Sequence, residues 1–370
     1  MEKKEWYFNE ELLRDTINSG NNLLASSITS KEMKDDIRDT IIEFKNFLKA
    51  MNGESFNEEE QKSSQLSFKE YKEKILEKMN RESKMISSGV IDLIIYLEKR
   101  KSEISFREQY KEDVNIEELV EDTFCIYDTY FPMYKDSVFR ILNHPFSLVH
   151  ITKEKIFESE CHGSSFIELP FIYICNVDEN PLALPHEIQH GVEFMKSYKT
   201  HPYYYELGPI VLEELYTDYV VDKKSKNSEL LYGNRLMEID SILFYLFGYF
   251  EAMRAFQKLG WDVTDYKFLI ELEKYDLALE ETLNDDLEEM LEMDLKKYLC
   301  YVLSFLKSLD IRDNLYNCRR IGLRQLFASL ENNKFSGLEN KKDVLKNYEN
   351  YIKEVSRYQK RRGKRINKRY

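Results

Sequence analysis

Apolar positions recur at helical spacing through most of the chain. Ile37, Ile41, Phe44 and Leu48 form one stripe, and Val90, Leu93, Ile94 and Leu97 a second. Between them, residues 52–67 are polar and Glu-rich and carry Gly53, which predicts a loop. The helical pattern resumes over residues 116–142 and then breaks. Residues 146–151 and 171–177 are short runs of β-branched and aromatic residues separated by the turn-like Gly163-Ser164-Ser165. They predict one small sheet. After it the pattern is helical again, with helices expected over 210–223, 235–259, 286–309, 323–332 and 342–359. With 12 Gly and 7 Pro in 370 residues, few helix breaks are expected. The expected fold class is mainly α, with a helical region over residues 1–115 forming one wall of a cleft, a body over 116–359 and a basic tail over 360–370.

Composition narrows the possible partners. A net charge of −13 would repel phosphates, so nucleic acid is not an expected partner of the body. No window reaches the roughly 18 apolar residues that a membrane span requires, and Met1–Trp6 leads into no apolar signal segment. The five cysteines contain no CxxC pair, which fits a reducing compartment and offers no thiolate metal site. A cytoplasmic protein is expected. The basic run over 360–369 reads first as a solvated terminus.

Residues 186–190 read His-Glu-Ile-Gln-His. On a helix, positions i and i+4 share a face, so His186 and His190 can reach one ion. Catalytic zinc takes three protein ligands and keeps one position for water. Glu187 then lies beside that water and not on the metal. A third ligand is expected from Leu212-Glu213-Glu214-Leu215-Tyr216-Thr217-Asp218, and Glu214 is preferred because Glu213 points about 100° away on the helix. Asp218, four residues beyond Glu214, is expected to accept the second ring N–H of a ligand histidine. Pro185 requires the ligand helix to begin near residue 184 or to kink there, and Asn180-Pro181 offers a capping residue and a helix-starting proline. His144, His150 and His162 read as structural.

From Leu169 to Asn176 and from Leu184 to His190, with Glu214-Leu215-Tyr216-Thr217, the chain resembles peptidase family M3, the oligoendopeptidase F and thimet oligopeptidase group. The resemblance covers about residues 165–222. It implies a helical zincin-like fold with a deep substrate channel and one small sheet before the HExxH helix. It also implies one zinc ion per chain and a peptide substrate that pairs with the strand, engaging Ile172, Tyr173, Ile174, Cys175 and Asn176 as an edge. The family carries a downstream His and Tyr residues that stabilise the tetrahedral intermediate. Here no His follows His201, and Tyr245 in Phe244-Tyr245-Leu246-Phe247-Gly248 is the matching position. The oxyanion donor is left open among Tyr245, Tyr249, His201 and Tyr203–Tyr205. The implied activity is zinc-dependent endopeptidase cleavage of short peptides with Glu187 as general base. The alternatives are a zinc-binding, catalytically weak relative that binds peptides, and a helical scaffold with a coincidental motif.

Overall fold

The computed structural model describes the chain apart from residues 1–5, 27–28, 53–65, 102–112, 146, 156–157, 165, 198–201, 224–229, 278–282, 318–337 and 367–370. The predicted loop over 52–67 lies mostly outside the described residues, and the helix predicted over 323–332 lies wholly outside them. Among the described residues the chain is mainly helical with one three-stranded sheet. No helix among them is long and apolar enough to cross a membrane.

The sheet consists of β1 (Val149–Ile151), β2 (Glu160–His162) and β3 (Phe171–Ile174), in the order β1-β3-β2. β1 pairs parallel to β3 and β2 antiparallel to it. β3 is therefore the central strand and not an edge. Strand alternation sends its side chains to two cores. Phe171 and Tyr173 join a cluster with Phe44 and Phe47, under α1 (Glu10–Ala25) and α2 (Lys31–Met51). Ile172 and Ile174 face the main core, against α7 (Ala183–Lys196). The backbone on both flanks and the side chains on both faces are occupied. The expected docking of substrate on Ile172, Tyr173 and Ile174 is therefore corrected, since all three are fully buried. Cys175 and Asn176, just past the strand, do border the cavity described below. His150 is structural as expected. It stacks on Tyr173 at 5.1 Å, and burial pulls its pKa down to about 4.

The stripe Ile37, Ile41, Phe44 and Leu48 is buried on α2, and Val90, Leu93, Ile94 and Leu97 are buried on α4 (Ser88–Arg100). The run over 116–142 divides into α5 (Ile116–Tyr130) and α6 (Lys135–Leu142), because Pro132 tightens the chain into a 3-10 turn. The helix expected over 286–309 is likewise two, α11 (Leu283–Glu292) and α12 (Leu295–Asn317). Asp294 makes the break by accepting the backbone N–H groups of Lys296 and Lys297 at 2.9 and 3.2 Å, an N-cap for the second helix. The other helices of the second half are α8 (Leu207–Asp222), α9 (Leu230–Leu259), α10 (Asp265–Glu273) and α13 (Lys341–Ile366), the last running into the expected tail.

α3 (Phe68–Met85) holds α11 by its end. The buried Lys78 ammonium donates to the carbonyls of Met290, Leu291 and Met293 at 2.7, 3.0 and 2.6 Å. These are the last-turn acceptors that a helix cannot satisfy internally. Replacing Lys78 with Met strands them in a buried site. It is expected to lower the free energy of unfolding by about 2–3 kcal/mol, read as a shift of the urea midpoint. An unchanged midpoint would show that the end of α11 is satisfied by water.

Candidate metal centre

α7 starts at Ala183, so Pro185 sits in the first turn, where a missing N–H is tolerated. Asn180 does not cap it: the N-cap is Leu182, without a side-chain bond. The helix stops at Ser197, which takes a left-handed conformation at φ 52° and returns its N–H to Glu193 and Phe194. α8 then packs back along α7. Its sequence is apolar on nearly every side and almost all its residues are buried, so its acidic residues point into protein.

The two imidazoles of α7 meet a carboxylate that the sequence did not single out. His186 Nε2 and His190 Nε2 lie 3.1 and 3.2 Å from the same Oε2 atom of Glu206. Glu206 is the residue before α8. The ligand atoms of these three residues lie within 4.8 Å of one another, within reach of one ion. The other nitrogen of His186, Nδ1, is 2.6 Å from Glu213 Oε1 and donates to it. That is the outer-shell contact which fixes the tautomer of a metal-binding histidine.

Glu214, the expected third ligand, is elsewhere. Its Oε1 accepts from Arg235 at 2.5 Å and from the Tyr351 hydroxyl at 2.8 Å. Asp218, expected to orient a histidine, instead accepts from the Tyr232 hydroxyl. The reason is helical phase. Glu206 and Glu213 are seven residues apart, nearly two full turns, and share a face, whereas Glu214 is rotated by about 100°. The pair at i and i+7 was the available signal. It was masked by the Glu-Glu doublet and by the position of Glu206 outside the helix proper.

Arg235, from α9, bridges the site by pairing with both Glu213 and Glu214. Burial and charge govern protonation here. Burial alone would raise the Glu206 carboxyl, but hydrogen bonds from His186 and His190 outweigh it and hold the group well below the usual range. Burial would lower both imidazoles, yet Glu206 chiefly keeps them above their ordinary value. Glu187 is raised, first by burial, against the opposing pull of His186 and His190. Arg235 pairs with Glu213 and Glu214, while Glu206 faces the two histidines and Glu187 lies beside them, so the donor set fits a divalent cation: two imidazole nitrogens, one carboxylate oxygen and a surplus of negative charge. His190 Nδ1 is buried without a hydrogen-bond partner among the described residues.

These groups open onto a cavity of about 1090 Å³. Glu187, Tyr205 and Tyr301 line it. Tyr205 stacks on His190 with ring centroids 4.9 Å apart, and Tyr301 of α12 lies parallel to His186 at 6.1 Å. Of the other expected oxyanion donors, Tyr203, Tyr204, Tyr245 and Tyr249 do not line the cavity. Tyr245 packs edge-on against Tyr298, Tyr249 donates to Glu82 at 2.5 Å, and Tyr204 is fully buried. His201 lies outside the described residues. The edge that borders the cavity is β2, through Glu160 and Cys161.

No family model, curated protein or solved structure matches the chain.

The spacing of α8 against α7 depends on Gly208. A Cβ there would stand 1.9 Å from Glu193 Oε1 and 3.1 Å from Gln189 Nε2. Those two side chains are bonded to each other at 2.8 Å, and Gln189 accepts from Tyr127 at 3.0 Å. The acceptor side is therefore not free to yield, and burial has pushed Glu193 up to about 7. Gly208→Ala is expected to cost about 1–3 kcal/mol of stability by overpacking and to displace Glu206. Denaturant unfolding measures the first effect and metal affinity the second. Wild-type values for both would contradict this packing.

Proposed function

We propose that the chain is a zinc-dependent metallopeptidase that hydrolyses short peptides, with a helical zincin-like arrangement around its cavity. The carrying observation is the aim of His186 Nε2 and His190 Nε2 at one oxygen of Glu206, with Glu187 beside them in the same cavity. His186, His190 and Glu206 would hold the zinc, and Glu213 would orient His186. When bound, zinc supplies a Lewis acid for the scissile carbonyl and a water of lowered pKa.

The chain's own residues account for the rest. Glu187 stands next to the first ligand without joining the ligand set, which suits a general base that takes a proton from water and passes it to the leaving amine. Tyr301 and Tyr205 line the cavity and stack on His186 and His190, and in this reading they replace Tyr245 as donors toward a developing oxyanion. Backbone recognition of an extended peptide falls to β2, whose far side pairs with no strand among the described residues.

Two sets of variants test this reading. Glu206→Ala is expected to abolish stoichiometric zinc, and Glu213→Ala to weaken zinc by about 10–100-fold. Glu214→Gln is expected to keep zinc at the wild-type level. Metal analysis of tag-free protein reads all three, and zinc lost from Glu214→Gln but kept by Glu206→Ala would refute the ligand set. Glu187→Gln is expected to retain zinc while cleavage of a quenched-fluorescent peptide library falls by about 10²–10⁴-fold. Undiminished turnover would remove Glu187 from the mechanism.

A further inference from the structure

The cavity beside the histidines is lopsided in charge. Eleven carboxylates line it against two lysines, Lys155 and Lys297. Part of this excess belongs to the metal centre, but a separate part comes from α11, whose Leu287 and Met290 are buried while Asp285, Glu288, Glu289 and Glu292 turn to the cavity. Those four lie at i, i+3, i+4 and i+7, a single helical face.

The arrangement is unfavourable for the helix itself. Like charges three and four residues apart repel, and Glu289 and Glu292 stand in the last turns, where the helix dipole opposes negative charge. Among the described residues none of the four forms an ion pair. Acids elsewhere do: Asp92 with Arg254, Asp122 with Lys223, Asp178 with Lys153 and Asp240 with Lys101. Lys78 fixes the end of the helix through its carbonyls and leaves the carboxylates unneutralised. The metal-centre end of the same cavity also holds a carboxylate without a partner: Glu187 is only 8% exposed, borders that cavity and has no hydrogen-bond partner among the described residues.

We propose that the α11 face is a specificity wall that selects peptides bearing lysine or arginine side chains, with Asp285, Glu288, Glu289 and Glu292 as their counter-charges. The inference rests on the peptidase reading for the nature of the ligand. A cleft lined by one sign of charge focuses its field and speeds capture of the opposite charge, an effect that falls with ionic strength.

The test uses full-length, zinc-loaded protein and labelled peptides that differ only in carrying Lys, Gln or Glu at the same positions. Anisotropy with the Glu187→Gln protein measures binding, and wild-type cleavage of the same series is measured separately. At low salt the Lys peptide is expected to bind about tenfold or more tighter than the Gln peptide, and the Glu peptide more weakly still. The difference is expected to collapse near 1 M salt, where screening acts within about 3 Å. The combined Glu288→Gln, Glu289→Gln and Glu292→Gln protein, with wild-type circular dichroism and zinc content, is expected to lose most of the preference. Equal binding of the three peptides, or a preference that survives the triple substitution, would overturn the proposal. If the Lys peptide is selected but wild type cleaves none of the series, the peptidase reading fails and the cation-selective wall stands. If all three are cleaved alike, the wall fails and the peptidase reading stands.

Discussion

Two imidazole nitrogens on successive turns of one helix face a single carboxylate oxygen at the start of the next, and each lies about 3 Å from it. That convergence takes place where water is largely excluded and acidic side chains outnumber basic ones. A buried surplus of negative charge is costly unless a cation or protons offset it. Much of the surrounding architecture is explained by the need to hold this arrangement against its own repulsion.

The support is layered. β3, walled in on both flanks and both faces, seats α7 through Ile172 and Ile174. α8 lies on α7 at a distance set by Gly208, so that Glu206 and Glu213 arrive one above the other. α9 contributes Arg235, whose guanidinium anchors Glu213 against His186 and holds Glu214 on its other side, and α13 adds Tyr351 to Glu214. α12 brings Tyr301 alongside His186. Elements distant in sequence thus each contribute a side chain to one polar cluster, and a hydrogen-bonded network of this kind favours one packing.

His186, Glu187 and His190 were legible in the sequence because they are neighbours along one helix, and helical periodicity alone fixes their relation. The small sheet was legible from its β-branched runs. The third carboxylate was not, because it depends on tertiary phase. α8 has no polar face, so its pattern does not say which glutamate turns toward α7, and the helix-phase preference for Glu214 over Glu213 passed over Glu206, one residue before the helix. β3 was mistaken for an edge because β2, only Glu160–His162, carries too little pattern to announce itself as a partner. The division of 286–309 was hidden for a different reason. Asp294 reads as one more helical acid until its cap bonds to Lys296 and Lys297 are seen.

The most direct measurement is anomalous diffraction at the zinc edge from crystals of the full chain grown with zinc. The account predicts one strong peak within bonding distance of His186 Nε2, His190 Nε2 and a Glu206 carboxylate oxygen, with Glu214 still on Arg235 and Tyr351. A peak coordinated by Glu214 in place of Glu206, or no peak between the two imidazoles, would contradict it.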